Sequence, residues 1–292
     1  MILRSCRRAV APSPGLVLIS PPFLYALILL AAPIVGVVML SFWSQDFLEI
    51  QRDFTFANYQ TAWTERVYQV LMLRSIKVAL LVTVATVLLA FPMAYFLSFH
   101  IPKRRKQLWL FLITIPFWTS YLVRIFLWKV ILGYNGVING TLTTLGIIDE
   151  PLRFILYNQA AVVMTLSHAW APFAVLPIYV ALEKIDRSLL EASVDLGDGP
   201  LRRFFRITLP LAMPGVVAAV LIVFIPTVGD YITPNLVGGP NGLMIANMIE
   251  VQFKKANNDP LGAALALSAM ALVGTMALLF IWATRKYLRS PS

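Results

Sequence analysis

The sequence predicts an all-α polytopic membrane protein: six transmembrane helices with both termini cytoplasmic. Three observations predict it. Of 292 residues, 59% are apolar and only 13% are charged, whereas soluble domains carry about a quarter charged residues. Six apolar windows appear, each of roughly 20 residues or more, which is the length a helix needs to span a bilayer. Basic residues also gather in alternate connecting segments, as orientation in a membrane requires. The single cysteine, Cys6, gives no internal disulfide or cysteine metal site. With only two histidines, His100 and His168, a His-rich metal centre is not expected either.

Taken in order, the windows are residues 16–42, 70–99, 108–132, 160–182, 211–232 and 261–283. The first follows Arg4, Arg7 and Arg8 but is too long for a signal-peptide core and has no convincing cleavage site, so it is read as retained. Residues 44–69 are polar and aromatic, enough for a short amphipathic element. Residues 133–158 carry the turn formers Asn135-Gly136 and Asn139-Gly140. Residues 238–259 open with a glycine-rich turn and continue into a run of mixed apolar spacing. With the N-terminus cytoplasmic, 15 of the 24 basic residues fall on that side, including Lys103–Lys106, Lys184, Arg187, Arg285, Lys286 and Arg289. The opposite loops and the membrane segments hold nine of the 14 acids. The +10 net charge is thus accounted for by topology and by attraction to anionic membrane lipid, with no nucleic-acid partner. The organisation reads as residues 1–69 (tail, first helix, external segment), a transmembrane core of 70–286 and a cytoplasmic tail of 287–292.

A polar island interrupts this pattern between the fourth and fifth windows: EASVDLGDGPLRRFFRITLPLAMPG, residues 191–215. Ser188 and Glu191 fit a capping box, and Leu189, Leu190, Val194 and Leu196 give a short helix an apolar side. Gly197 suits a left-handed helix end, and Pro200 suits the first turn of a second short helix. Arg202, Arg203 and Arg206 mark a polar face. Phe204, Phe205 and Ile207 pack toward the membrane edge, and Pro210 and Pro214 set the entry to the fifth span. The spacing Glu191-Ala192-Ser193, then Gly197, then Ile207-Thr-Leu-Pro210 resembles the EAA loop of type I ABC importer permeases. Ser193 stands where that family usually has a second alanine.

That resemblance implies a MetI-like fold and a coupling loop, residues 183–210, that docks in a cytoplasmic ATPase. Glu191, Ala192, Ser193, Asp195, Gly197, Arg202, Arg203, Ile207 and Pro210 would form the coupling set. Glu191 would meet a basic partner group, and the small Ala192, Ser193 and Gly197 would allow close approach. The chain has no Gly-x-x-x-x-Gly-Lys-Ser/Thr phosphate loop, so no cofactor is expected in it. ATP and Mg would bind the partner ATPase, leaving this subunit non-catalytic. The further partners implied are an ATP-binding subunit dimer, a second homologous permease subunit and a periplasmic or extracellular substrate-binding protein, at the bacterial inner membrane.

IPFWTSYLVRIFLWKVIL, GYNGVIN and FIPTVGDYITPNLVGG resemble the spermidine/putrescine branch of the family, which implies a polyamine substrate. Asp230 is the one acid within the six apolar windows, about 30 Å along the helix from Pro210 at ~1.5 Å per residue. It would face a substrate path or cap local backbone where Pro226 and Pro234 interrupt the helix. Trp118 and Tyr121 would add cation–π contacts. Arg124 and Lys129, with Arg74 and Lys77, are expected to snorkel outward. His168, beside Trp170 and Pro172, reads as a hydrogen-bonded packing residue. Three alternatives remain. One is a permease for another small solute. Another is a self-sufficient channel or secondary carrier, which would not need the EAA loop. The third is a polytopic membrane enzyme, which would need a catalytic pair that no Gly-x-Ser-x-Gly motif or second acid in a neighbouring span supplies.

Overall fold

A backbone inside hydrocarbon must satisfy its own N–H and C=O groups, and apolar runs of this length do so as helices. The structure, a computed structural model, describes residues 14–47 and 49–288, with side chains from Leu18. Cys6, Arg4, Arg7, Arg8 and Arg289 lie outside the described residues. The chain begins with α1 (Pro14–Ser41). A short antiparallel hairpin follows, β1 (Ser44–Asp46) with β2 (Glu49–Gln51), in which Gln45 faces Ile50. Helix α2 (Ala57–Thr64) then leads into the 34-residue α3 (Arg66–Phe99). The second half holds α7 (Gln159–Glu183), α8 (Arg187–Asp195), α9 (Pro200–Arg203), α10 (Leu209–Val228) and α13 (Asp259–Leu288). Between α3 and α7 lie α4 (Lys103–Thr114), α5 (Tyr121–Leu132) and α6 (Val137–Thr144). Between α10 and α13 lie α11 (Gly239–Gly242) and α12 (Ile245–Lys254).

Among the described residues, six helical stretches are long and apolar enough to cross a membrane. Two depart from the expected windows. The third crossing is broken: α4 passes through a 3₁₀ turn, Ile115–Trp118, into extended backbone at Thr119 and Ser120 before α5 begins. Pro116 has no N–H to donate back into α4, and past the break the Arg124 guanidinium donates to the Thr119 carbonyl at 3.2 Å. Tyr121–Thr144 reaches crossing length only by counting α6, beyond the turn at Gly133–Gly136. The crossing itself is α4 with α5, because Lys106 meets the end of α7 while Trp128 meets its middle. The fifth crossing starts 11 residues earlier than expected, at Pro200, and ends at Val228 instead of residue 232. The second short helix of the polar island is therefore no separate element. It is the first turn of this crossing, joined through a π-helical turn at Phe204–Thr208.

The core is a three-helix packing of α3, α7 and α10. Val78, Val82 and Leu97 of α3 meet Leu166, Ile178 and Leu182 of α7 and Ala212, Ala219 and Val223 of α10. Helices in lipid approach closely where residues are small, and Gly215 is the tightest such place. A Cβ built on Gly215 would lie 2.6 Å from the Ala181 Cβ and 3.1 Å from the Ile178 Cα. Gly215→Leu should therefore force α10 off α7 and cost about 1–3 kcal/mol as overpacking. Thermal unfolding of the purified protein in detergent checks this; an unchanged midpoint would mean that the two helices separate without penalty. By contrast, α1 is exposed along its length and packs chiefly on α13.

Candidate functional site

The polar island folds as a helix, a tight left-handed turn and the start of α10. The side-chain cap of α8 is Asp186, whose Oδ1 accepts from the Ser188 amide at 3.0 Å. These bonds from Ser188 hold the Asp186 carboxyl below its ordinary range. The expected Ser188/Glu191 box is not formed, because α8 already begins at Arg187 and Ser188 lies inside its first turn. Gly197 ends the helix at φ +83°. Its amide donates to the Val194 carbonyl at 2.9 Å, and the Asp198 amide donates to Ser193 at 3.0 Å. That pair of bonds is a Schellman ending.

Glu191, Ala192 and Asp195 are exposed on α8. Ser193 is not: it is 2% exposed, and its hydroxyl donates to Asp198 Oδ2 at 3.0 Å. It locks the turn from inside and offers nothing to a docking partner. Arg202 and Arg206 each approach Asp198 at 3.7 Å, with Arg203, Ile207 and Pro210 half-buried behind them. Asp198, which with Gly199 suits the start of a second helix before Pro200, is thus a site residue outside the expected coupling set; an acid flanked by two glycines, four residues before an arginine, is its signal. Phe204 turns inward, edge-on to Phe91 at 5.4 Å. Leu196, Leu201 and Phe205 stay 85%, 75% and 63% exposed, so the loop presents an apolar surface beside its charges.

A polar knot roots this loop in the bundle. Lys106 of α4, 5% exposed, pairs with Glu183 at the end of α7 and donates to the Ser98 carbonyl of α3 at 2.7 Å. The Ser98 hydroxyl donates to Glu183 at 2.8 Å, and Arg187 of α8 reaches the Ser98 carbonyl at 3.3 Å. Lys106, expected only as a marker of topology, is therefore a structural centre.

At the other end of α10, two residues past the last residue of the fifth crossing, lies Asp230. Helix α10 stops before Asp230, which is 9% exposed. Asp230 Oδ1 accepts from the amides of Ile232 at 3.0 Å and Thr233 at 3.4 Å. Its Oδ2 accepts from the Tyr121 hydroxyl at 2.8 Å. Tyr121 also meets the Thr233 hydroxyl at 3.0 Å. The acid therefore caps its own turn and binds across to α5. Trp118 does not join it: Trp118 is 77% exposed and stands edge-on to Phe111 at 5.7 Å.

Arg124 does not snorkel outward. It is 8% exposed, donates to the Ala169 carbonyl of α7 at 3.2 Å and lies 5.7 Å from the Phe117 ring. Each of its two terminal nitrogens donates to one carbonyl and an aromatic face lies beside it, while its Nε finds no acceptor among the described residues. Arg74, only partly buried, donates to the carbonyls of Pro240 and Leu243, both at 3.3 Å. His168 accepts from the Trp128 indole at 3.1 Å, hydrogen-bonded as expected, but it is exposed rather than packed into the core.

Residues 86–285 match the family described as binding-protein-dependent transport system inner membrane component. The chain is 38% identical over 254 residues to the spermidine/putrescine transport system permease protein PotB of Escherichia coli, an alignment covering 87% of this chain and 91% of that protein. It is 37% identical to PotB of Haemophilus influenzae, covering 79% and 80% of the two chains. In fold it is similar to a bacterial ABC transporter chain involved in the import of the acidic polysaccharide alginate, with a TM-score of 0.69 at 18% identity, covering 92% of this chain and 94% of that one. The chain belongs to the binding-protein-dependent transport system inner membrane component family and is a non-catalytic, multi-pass permease subunit of an ABC importer.

Proposed function

We propose that this subunit forms half of a polyamine pathway and receives work from a cytoplasmic ATPase dimer through residues 183–210. The observation that carries the substrate is the 38% identity to PotB over 87% of the chain. In this reading both termini and the loop face the cytoplasm, a second homologous permease completes the pathway, and an external binding protein delivers the substrate. ATP and Mg bind the partner ATPase and not this chain. The exposed Glu191, Ala192 and Asp195, with the apolar Leu196, Leu201 and Phe205, support docking to a protein. Arg202 and Arg203 flank that surface, while Ser193, Gly197, Ile207 and Pro210 hold its shape.

Asp230 and Tyr121 supply the chemistry for a cation: a carboxylate and a phenol, joined, at the turn that follows α10. Trp118, exposed and apart from them, serves this pathway only as an aromatic surface facing a partner or lipid. Asp230→Asn keeps the shape and the acceptor for the Ile232 and Thr233 amides but removes the charge. It should lower spermidine and putrescine uptake by about tenfold, the loss of one charge-assisted contact. The measurement uses vesicles containing the whole assembly, with a thermal melt to establish that the fold is kept. Unchanged uptake would remove Asp230 from the path.

A further inference from the structure

Five residues after Asp230 the chain reaches Asn235, in the π-helical turn Pro234–Gly238. Its amide donates to Glu250 Oε2 of α12 at 3.1 Å. The other carboxylate oxygen, Oε1, takes the Lys254 ammonium at 3.0 Å. That ammonium also stands 5.5 Å from the centre of the Tyr231 ring. Glu250, Lys254 and Tyr231 line a cavity of about 550 Å³ whose other walls include Ile225, Ile249 and Met270. Small-molecule pockets fall within roughly 300–1,000 Å³.

A glutamate and a lysine four residues apart on a helix are ordinarily a solvated pair of little weight. Here a second element, through Asn235, orients the carboxylate, and an aromatic face closes over the cation. Glu250 is well covered, at 23% side-chain exposure, while Lys254 remains 64% exposed and free to swing away. The bond to Glu250 also holds the Lys254 ammonium above its ordinary range. The chemistry of the occupant is informative. A lysine side chain is four methylenes ending in an ammonium, which is the aminobutyl group of a polyamine.

We infer that Glu250, Tyr231 and Asn235 form a binding subsite for the aminobutyl end of a polyamine, which Lys254 occupies as a tethered stand-in until the substrate displaces it. The carboxylate and ring recognise the ammonium, and the apolar wall of the cavity takes the methylenes. Lys254 keeps the carboxylate neutralised when no substrate is present, so inorganic cations gain little by entering. This rests on the polyamine reading above and adds to it a second site, distinct from Asp230.

The test uses the whole transporter in lipid nanodiscs without its binding protein, titrated with radiolabelled spermidine and putrescine. Glu250→Gln should weaken binding by about tenfold, the loss of a charge-assisted contact. Lys254→Met, of similar length but uncharged, should tighten it by about threefold or more, because the competitor is gone. In the double variant the Lys254→Met gain should vanish. Uncharged 1,4-butanediol should not compete in any variant. Size-exclusion profiles establish that each assembly is intact. Equal affinities in all variants, with polyamine uptake by the parent assembly preserved, would overturn the subsite and leave the polyamine reading standing. Absence of polyamine uptake by the parent assembly would overturn both.

Discussion

Gly197→Asp should abolish polyamine uptake and substrate-stimulated ATP hydrolysis by the assembled transporter while leaving membrane insertion and the bundle intact. Gly197 sits at φ +83° with open space around its missing Cβ. A side chain there clashes with nothing, but a residue with a Cβ loses about 1–2 kcal/mol in left-handed backbone. Relaxing that strain means losing the two bonds that end α8, and with them the angle between α8 and α10. The aspartate also adds a negative charge beside Asp198. Glu191→Arg tests the same surface through charge alone, since Glu191 is exposed and its reversal leaves the fold untouched. Both variants should lose more than about 90% of uptake, a change of at least ~1.4 kcal/mol in coupling. Normal transport in either would sink the assignment of this loop as the coupling element.

Lys106→Met should give the second large effect, of a different kind. The lysine is buried against Glu183 and the Ser98 carbonyl. Removing one partner of a buried ion pair costs about 3–5 kcal/mol. Here the Glu183 side chain is 33% exposed and keeps its bond from the Ser98 hydroxyl, so about 1–3 kcal/mol is expected. That loss falls at the joint between α3, α4, α7 and α8, and uptake should drop together with thermal stability. Lys106→Met paired with Glu183→Gln should recover part of the stability, because no unpaired charge remains. A double variant no more stable than Lys106→Met alone would show that the pair is not the source of the loss.

What local chemistry dictates could be read from the sequence. Six spans follow from apolar length, and the left-handed turn at Gly197 follows from a glycine placed between a polar helix and a proline. What depends on distant partners could not. Tyr121 meets Asp230 across 109 positions, and Arg124 meets Ala169 across 45. No pattern within α5 distinguishes an arginine that turns inward to carbonyls from one that snorkels. In the sequence the visible property of Ser193 is its smallness, whereas in the fold its hydroxyl, aimed at Asp198, decides its place. The Ser188/Glu191 box and the Asp186 cap are both good local patterns. Which one forms depends on where the chain leaves α7.

The pairing of α1 with α13 sets an order of events during synthesis. More than 200 residues separate the end of α1 from the start of α13. At about 5–20 residues per second the ribosome needs roughly 10–45 s to make that interval. Throughout it, α1 has its neighbour α2 but not its main packing partner. Its largely apolar surface, with no charge from Leu18 to Ser41, lets it wait in lipid. The first helix to enter the membrane is thus among the last to find its place, and a truncation before residue 259 should leave it drifting beside a core that has already closed.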